Sequence, residues 1–381
     1  MPSGGRREPS GDAFGGLHPH GESGEEVNRR LNVAVIGAGY WGPNLARNLR
    51  ASREWNLAAI CDVDIDRARR VADAVGGAPV TADVQSILAD PLIDAVAIAT
   101  PARTHHSIAM AALDAGKHVM AEKPLADTPE HGAEMVQRAA ERGLVLMADH
   151  TSCYTPAVLK MREVIASGEI GDVLFVDSLR INFGLIQPDV DVFWDLAPHD
   201  LSIMDFVLPG GLHATSVSAH GSDPLSSGKS SIGHLAMPLT DGVMAHLHVN
   251  WLSPTRTRRM VIGGTRHTLV WDDLNPQQRL SIYDRGVDIS SISRATAKDR
   301  RAANISYRVG DTRASAFEER EALGSVVAEF AGAIRENRDP RTSGAAGLRV
   351  LSILDAAAGS LAAFGAPHPL GHESHRADVA A

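Results

Sequence analysis

Three features are scarce in this chain, and each absence excludes a class of protein. The 381 residues include only two cysteines, Cys61 and Cys153, which are too few for a disulfide framework or a multi-cysteine metal site. No run approaches the roughly 18 consecutive apolar residues of a membrane-spanning helix. The net charge is −9, whereas nucleic-acid binding needs a basic face. The sequence therefore predicts a soluble cytoplasmic protein that binds neither nucleic acid nor membrane.

The composition otherwise predicts a folded core between two tails. Hydrophobic residues make up 44% of the chain and charged residues 22%, as in ordinary globular proteins. Residues 1–30 are rich in Gly, Ser, Pro and charge, which predicts a disordered tail. Residues 367–381 are expected to form a second tail, at the C-terminus.

Residues 31–150 alternate between short apolar runs and helix-like segments. The apolar runs are Leu31–Ile36, Leu57–Cys61, Ala95–Ala99, His118–Ala121 and Leu144–Ala148, and the helix-like segments are Asp64–Val75, Thr104–Ala115 and Pro129–Glu141. This alternation is typical of βαβ units, whose parallel strands are covered on both faces. It predicts an α/β first domain with a doubly wound sheet.

Residues 151–366 follow a different pattern. Val173–Phe183 and Ala245–Trp251 alternate between apolar and polar side chains, which is typical of strands with one buried face. A helical apolar stripe follows near the end of the chain, between Leu323 and Ile334. These segments predict an α+β second domain built on a large open sheet, mostly antiparallel.

A glycine-rich loop directly after the first strand predicts a dinucleotide site. Gly37-Ala38-Gly39-Tyr40-Trp41-Gly42 has the spacing G-x-G-x-x-G, and Asp62 follows 20 residues after the last glycine. Such glycines allow a tight turn, a close approach to the pyrophosphate and close helix packing, while the acid accepts hydrogen bonds from ribose hydroxyls. A carboxylate also repels a 2′-phosphate, so NAD is favoured over NADP. Arg67, Arg69 and Arg70 on the next helix could still reach a 2′-phosphate of NADP at this position.

Two other motifs are weaker indications of a binding site. Gly228-Lys229-Ser230 resembles the end of a phosphate loop, but its spacing from Gly221 is wrong and no strand–helix context surrounds it. His246 and His248 alternate as metal ligands can, yet no third ligand is evident. We expect these histidines on a solvated or interface face, and we expect no metal site.

Two further segments should border the nicotinamide. Thr100-Pro101 and Glu122-Lys123-Pro124 follow strands of the first domain, and ligands of parallel sheets lie beyond the carboxyl ends of the strands. Beside a cationic nicotinamide ring the Lys123 ammonium is disfavoured, so this lysine can donate or relay a proton. Its spacing alone fits a surface lysine equally well.

Together these motifs resemble the Gfo/Idh/MocA family of NAD(P)-dependent oxidoreductases. The resemblance rests on Gly37–Gly42, Thr100-Pro101, Ala115–His118 with Glu122-Lys123-Pro124, and Asp195-x-x-x-His199, and it spans about residues 31–366. It implies a Rossmann domain followed by an α+β domain whose open sheet forms a homodimer or homotetramer. It also implies that Lys123, Asp195 and His199 are catalytic. The expected cofactor contacts are Gly37, Gly39, Tyr40, Trp41, Gly42, Asp62, Thr100, Pro101, His105, Glu122 and Lys123.

The spacing of Asp195 and His199 is compatible with this role. Residues four apart project from one face of a helix. With Asp195 as N-cap, Pro198 would stand in the first turn, where its missing N–H costs little. His199 would then lie near a positive helix end, which lowers its pKa and keeps it neutral as a base needs.

The substrate class follows less directly. Segments including Arg180–Leu185, Trp194–Asp200 and Trp251–Pro254 look like a family branch associated with sugar-nucleotide and glycoside biosynthesis. That association implies oxidation at a ring carbon, commonly C3, of a nucleotide-linked hexose. The expected substrate contacts are Lys123, Arg180, Asn182, Trp194, Asp195 and His199. Oxidation of a free sugar or an inositol, and reduction of a keto-sugar, fit the same residues.

A regulator that only senses the nucleotide is the alternative from another class. Such a protein has no use for a proton relay, so the presence of Lys123, Asp195 and His199 together argues against it.

Overall fold

A computed structural model describes residues 29–184, 186–187, 190–287 and 307–370. Most of both predicted tails lies outside these residues. The described ends are attached to the fold, because Arg29 forms an ion pair with Asp94 at 2.7 Å and His368–Pro369 pairs with another strand. The folded chain therefore extends a few residues beyond the boundaries predicted at 30 and 367.

Six parallel strands form the first sheet, in the order β3-β2-β1-β4-β5-β6. The strands are β1 (Leu31–Ile36), β2 (Trp55–Cys61), β3 (Val80–Thr81), β4 (Ala95–Ile98), β5 (His118–Glu122) and β6 (Leu146–Asp149); the helices are α1 (Gly42–Ala51), α2 (Ile65–Ala74), α3 (Val84–Ala89), α4 (His105–Asp114) and α5 (Pro129–Arg142). The strand order reverses between β1 and β4, and ligands of doubly wound sheets bind beyond the carboxyl ends at this point. The predicted α/β fold is confirmed.

The second sheet has nine strands, in the order β14-β13-β12-β11-β7-β10-β9-β8-β15. The strands are β7 (Val173–Phe183), β8 (Ser216–Ser222), β9 (Ile232–Pro238), β10 (Met244–Asn250), β11 (Leu252–Gly264), β12 (Thr268–Asp272), β13 (Leu280–Val287), β14 (Tyr307–Ala314) and β15 (His368–Pro369). Among them only the β7–β10 pair is parallel. The prediction of a large, mostly antiparallel sheet is confirmed.

One face of this second sheet is buried and the other is open. In β7 the side chains of Val176, Ser178 and Arg180 are buried, whereas Phe175 and Asp177 on the opposite face are exposed. The remaining helices are α6 (Pro156–Ala166), α7 (Val192–Val207), α8 (Ala322–Glu336) and α9 (Gly344–Ala362). Helices α7 and α9 contact strands of this sheet, so they supply its cover.

Helix α9 connects the two sheets. It contacts α5 and β6 of the first domain as well as α7 and β8 of the second. An 18-residue window of this 19-residue helix has a mean hydropathy of 1.4, long and apolar enough to cross a membrane, although Arg349 and Asp355 interrupt the apolar run. Half of this helix is buried inside the fold, as in a core helix of a globular protein.

Candidate active site

The glycine loop between β1 and α1 has the shape that a dinucleotide requires. Gly37 has φ +102°, and a Cβ there would lie 2.6 Å from the Ala99 carbonyl carbon. A Cβ on Gly42 would collide with the Gly37 carbonyl oxygen. At Gly39, by contrast, a Cβ would meet nothing within 4 Å. The first and last glycines are needed by the fold itself, while Gly39 borders open space into which a pyrophosphate fits.

The start of α1 is free to receive phosphate. Trp41 is the N-cap residue and makes no side-chain cap hydrogen bond, and no acidic residue stands in the first turn. The unpaired N–H groups of a helix start attract anions. The Trp41 indole points elsewhere and donates to Asp149 Oδ2 at 3.0 Å. The neighbouring Tyr40 side chain is 94% exposed.

Asp62 lies directly after β2, beside the glycine loop. Its Oδ2 accepts a hydrogen bond from Ala38 N at 2.7 Å, and its Oδ1 accepts one from Asp64 N at 2.9 Å. Arg67 does reach this carboxylate, with Nη1 3.7 Å from Oδ1. The backbone donors fix the carboxylate where ribose hydroxyls of NAD would lie, so these residues fit the cofactor.

We expect Gly39→Ala to separate cofactor binding from folding. The added methyl group has open space, so the free energy of unfolding of the NAD-free protein should change by less than about 0.5 kcal/mol. NAD should bind at least about tenfold more weakly, because the methyl group keeps the pyrophosphate away from the backbone. Calorimetric titration and thermal unfolding measure the two effects. As a matched control, Gly42→Ala should destabilise the fold; NAD affinity unchanged in Gly39→Ala would contradict this assignment.

We expect Asp62→Ala to weaken NAD binding and to narrow the preference for NAD over NADP. The substitution removes the acceptor for the ribose hydroxyls and the charge that repels a 2′-phosphate. Titration of both cofactors against wild type, Asp62→Ala and the exposed control Asp66→Ala measures this. Tighter binding of NADP than of NAD to the wild type would contradict the ribose assignment.

His105 holds together the two loops that were predicted to border the nicotinamide. Its Nδ1 lies 2.9 Å from the Pro124 carbonyl oxygen and its Nε2 lies 2.8 Å from the Thr100 carbonyl oxygen. The ring is buried, and burial lowers its pKa. Both ring nitrogens face backbone carbonyls, so His105 positions the two loops, and its direct contact with the cofactor stays a prediction. Thr100 and Pro101 stay predicted cofactor contacts, at the carboxyl end of β4.

A buried pair of carboxyl groups lies at the ends of β5 and β6. Glu122 and Asp149 are paired positions on these strands. Burial, and then the charge of Asp149, raise the pKa of Glu122 well above its usual range. Asp149 also accepts a hydrogen bond from Thr151 Oγ1 at 2.7 Å. Because Asp149 is tied to Trp41 as well, the pair joins the glycine loop to the Lys123 loop.

Lys123 bridges the two domains. Its Nζ donates to the Asp195 carbonyl oxygen at 3.3 Å and lies 3.9 Å from Asp195 Oδ1. The other carboxylate oxygen of Asp195 accepts a hydrogen bond from Trp251 Nε1 at 3.0 Å. The structure therefore brings together the lysine of the first domain and the aspartate of the second, as the sequence predicts.

His199 lies one turn after Asp195 on α7. Its Nδ1 is 3.2 Å from Ser152 Oγ, so the serine rather than Asp195 orients the imidazole. Burial, followed by the positive charges of Lys123 and Arg180, lowers the pKa of His199 well below its usual value. The imidazole is therefore neutral at physiological pH, in the state that a general base requires.

Helix α7 begins earlier than predicted. Its N-cap is Asp191, whose side chain accepts hydrogen bonds from Phe193 N and Trp194 N, so the prediction of Asp195 as N-cap is wrong. Pro198 stands inside the helix rather than in its first turn. His199 is thus two turns from the helix start, and its lowered pKa arises from burial and neighbouring charges rather than from the helix end.

Of the predicted substrate residues, Arg180 and Asn182 lie on the buried side of the second sheet, and Trp194 lies on α7. Arg180 is 4% exposed, and its Nε donates to the fully buried Asp200. Asn182 follows on the same face of β7, partly exposed. Trp194 is partly buried and packs against the cores of both domains. Arg180 lies close enough to His199 for its charge to lower the pKa of that imidazole, although Arg180 already has a carboxylate partner.

Several residues near the reacting groups were not predicted as site residues. Ser152, Trp251 and Asp149 position His199, Asp195 and Trp41, respectively. His150 is buried, its Nε2 has no partner among the described residues, and burial lowers its pKa to about 4. Trp251 belongs to a segment that resembles the family, whereas Asp149 and Ser152 stand at or just after the end of β6.

The histidines set aside as metal ligands lie on the open face of the second sheet. His234 and His248 stack with ring centroids 4.1 Å apart, and His246 Nδ1 is 3.2 Å from Asp177 Oδ1. Within the described residues, no group of three His, Cys, Asp or Glu side chains is arranged to hold a metal ion.

Comparison with known proteins agrees with this fold. Residues 31–150 match the model of the oxidoreductase family with an NAD-binding Rossmann fold, and residues 158–270 match the GFO/IDH/MocA C-terminal domain. The UDP-N-acetylglucosamine 3-dehydrogenase of Acidithiobacillus ferrooxidans is 28% identical over 84% of this chain and 94% of its own length. Its crystal structure superposes with a TM-score of 0.74 at 27% identity, covering 88% of this chain and 99% of that one.

Two further relatives match over shorter stretches. The D-glucoside 3-dehydrogenase of Escherichia coli is 32% identical over 52% of this chain and 60% of its own length. The scyllo-inositol 2-dehydrogenase (NAD(+)) of Bacillus subtilis is 30% identical over 51% of this chain and 58% of its own length. With both family domains matched in order around one NAD site, the chain belongs to the Gfo/Idh/MocA family of NAD-dependent oxidoreductases.

Proposed function

We propose that this enzyme oxidises a ring hydroxyl group, at C3 of a nucleotide-linked hexose, and passes the hydride to NAD. The observation that supports it is the convergence of Lys123, Asp195 and a neutral His199 beside the glycine loop. The likeness to UDP-N-acetylglucosamine 3-dehydrogenase along most of both chains supports the substrate.

The proton path follows from the contacts of this chain's own residues. NAD, when bound, would supply the acceptor for the hydride of the ring carbon. His199 takes the hydroxyl proton, and Ser152 holds its Nδ1 so that Nε2 faces the substrate. The Lys123 ammonium donates a hydrogen bond to the same oxygen and stabilises the negative charge that develops there. The C–H and O–H bonds of the alcohol break and a carbonyl group forms, so electrons and protons balance.

Asp195 positions this lysine. Trp251 anchors one carboxylate oxygen, and the other faces Lys123 Nζ at 3.9 Å. The arrangement leaves Asp195 able to accept a hydrogen bond from a neighbouring sugar hydroxyl group. Glu122, Thr100 and Pro101 line the place of the nicotinamide from the first domain.

The same residues support two alternative substrates. Run in reverse, they reduce a keto-sugar, with His199 returning the proton. Oxidation of a free sugar or inositol is favoured by the likeness to the D-glucoside and scyllo-inositol dehydrogenases.

Absorbance of reduced nicotinamide distinguishes these substrates. Purified enzyme with NAD is mixed in turn with nucleotide sugars, free hexoses and inositols, and enzyme with NADH is mixed with keto-sugars. We expect NAD reduction with a nucleotide sugar. Activity with inositols or hexoses alone would contradict the nucleotide-linked substrate and favour a neutral one. Oxidation of NADH by keto-sugars alone would show that reduction is the physiological direction.

The same proposal includes the oligomeric state and the cellular compartment of the enzyme. Phe175 and Met244 are exposed on the open face of the second sheet, which would be covered in a homodimer or homotetramer. Both cysteines are buried free thiols, as in a protein of a reducing cytoplasm.

A further inference from the structure

We propose that Arg180, Arg256 and Arg258 form an anion subsite that binds the diphosphate of a nucleotide-linked substrate. This inference rests on the proposed function and specifies the group by which the substrate is selected. Of the three residues, only Arg180 is a substrate contact predicted from the sequence.

Strand pairing brings two of the three arginines together, and the third lies close by in the same strand. Arg258 of β11 stands directly opposite Arg180 of β7, and side chains at such paired positions have Cβ atoms about 4.5–5.5 Å apart. Both point to the buried side of the sheet. Arg256 lies in the irregular stretch of β11 between Leu252 and Thr257, where the register with β7 shifts, and it is close enough to Arg258 for its charge to lower the pKa of Arg258.

The charges of this cluster are not balanced within the described part of the chain. Asp200 accepts a hydrogen bond from Arg180 Nε, and Asp273 Oδ2 lies 3.2 Å from Arg258 Nη1. Arg256 forms neither a hydrogen bond nor an ion pair with any described residue. Three guanidinium groups therefore face two carboxylates, and one positive charge is left over.

A purely structural role does not account for this arrangement. Like charges directly opposite each other destabilise a strand pair, and desolvating an arginine adds to the cost. Burial, and then the charges of Arg180 and Arg256, lower the pKa of Arg258, which reports the repulsion within the cluster. An anion placed among the three groups would relieve it.

The arginine cluster extends from the reacting groups to the protein surface. Arg180 and Arg258 both contribute to the lowered pKa of His199, so their charges lie near the imidazole. Arg180 is 4% exposed, the Arg258 side chain is 36% exposed, and Arg256 belongs to the exposed residues. A hexose at His199 would thus have its diphosphate beside the arginines and its nucleoside towards solvent.

The chemistry of the guanidinium group suits this ligand. It donates paired hydrogen bonds to phosphate oxygens in a fixed planar geometry. Hexoses and inositols without phosphate carry no charge for the cluster to recognise. The subsite would therefore favour nucleotide sugars over neutral ones.

Titration of the NADH-saturated enzyme with UDP tests the subsite directly, because NADH blocks the cofactor's own phosphate site. We expect UDP to bind the wild type, and Arg256→Gln and Arg258→Gln each to weaken it by about tenfold or more, the loss of a charge-assisted hydrogen bond. NADH affinity should stay the same. Arg259→Gln is the matched control, because Arg259 is the next residue of β11, exposed on the opposite face.

The outcomes separate this inference from the proposed function. UDP affinity that is equal in wild type and both variants, or that falls equally in Arg259→Gln, would overturn the subsite. Inorganic pyrophosphate and glucuronate, titrated in the same way, show whether a diphosphate or any anion is selected, and equal binding of both would overturn diphosphate recognition. If UDP binding depends on the arginines but no nucleotide sugar is oxidised, the subsite stands and the proposed reaction fails.

Discussion

His199→Ala should lower kcat by about 10²-fold or more, while NAD affinity stays near that of the wild type. The substitution removes the group that takes the hydroxyl proton, whereas the glycine loop and Asp62 that hold NAD are untouched. Steady-state turnover and calorimetric titration of NAD measure the two quantities. His199→Asn keeps a polar side chain beside Ser152. It should lose turnover as well, which separates loss of the base from a packing defect caused by alanine.

The pH dependence of kcat/KM reports the same group. A general base works in its unprotonated form, and the pKa of His199 is lowered by burial and nearby positive charge. The acid side of the profile should therefore fall off only below the usual histidine value of 6.5, and this limb should disappear in His199→Asn. His246→Ala, on the open face of the second sheet, is the matched control. Turnover unchanged in both His199 variants would remove the residue from the mechanism.

Lys123→Ala should also cost about 10²-fold or more in kcat with little change in NAD affinity. The ammonium lies 3.3 Å from the Asp195 carbonyl oxygen and 3.9 Å from Asp195 Oδ1, so its loss removes a donor to the reacting oxygen. Turnover with the best substrate, and NAD titration, measure the effect.

Lys160→Ala provides the control for removal of a lysine. Lys160 pairs with Glu163 on the surface of α6 and should have no effect on turnover. Equal turnover in Lys123→Ala and wild type would remove Lys123 from the mechanism.

The cofactor half of the site could be predicted from the sequence because its requirements are local. The glycine spacing, the strand before it and Asp62 after β2 lie within about 30 residues, and each residue type has a steric or electrostatic task. The doubly wound sheet followed from the alternation of apolar runs and helices. The identity of the catalytic residues, however, came from family resemblance.

The remaining site depends on contacts between distant segments. Ser152 meets His199 across 47 residues, and Trp251 meets Asp195 across 56. The start of α7 was misplaced because Asp191 and Asp195 are both good N-cap residues, and the sequence does not show which one the tertiary packing selects. The role of His105 was missed for a similar reason, since its two carbonyl partners belong to different loops.

The pairing of Arg180 with Arg258 shows the same limitation. Nothing in the sequence indicates that residues 180 and 258 stand opposite each other, because the register of β7 and β11 is set by packing of the whole sheet. Only the folded chain reveals a cluster of like charges beside the reacting groups.

Transfer of deuterium from a labelled substrate tests the central claim most directly. The enzyme and NAD are mixed with a nucleotide-linked hexose that carries deuterium at C3, and the reduced nicotinamide is examined by mass spectrometry. The account predicts one deuterium on the reduced nicotinamide. Reduction should be slower with the labelled sugar than with the unlabelled sugar. Lys123→Ala should not reduce NAD at a rate comparable to that of the wild type. Reduced nicotinamide without deuterium would contradict oxidation at C3, and no reduction of NAD by any sugar would contradict the dehydrogenase itself.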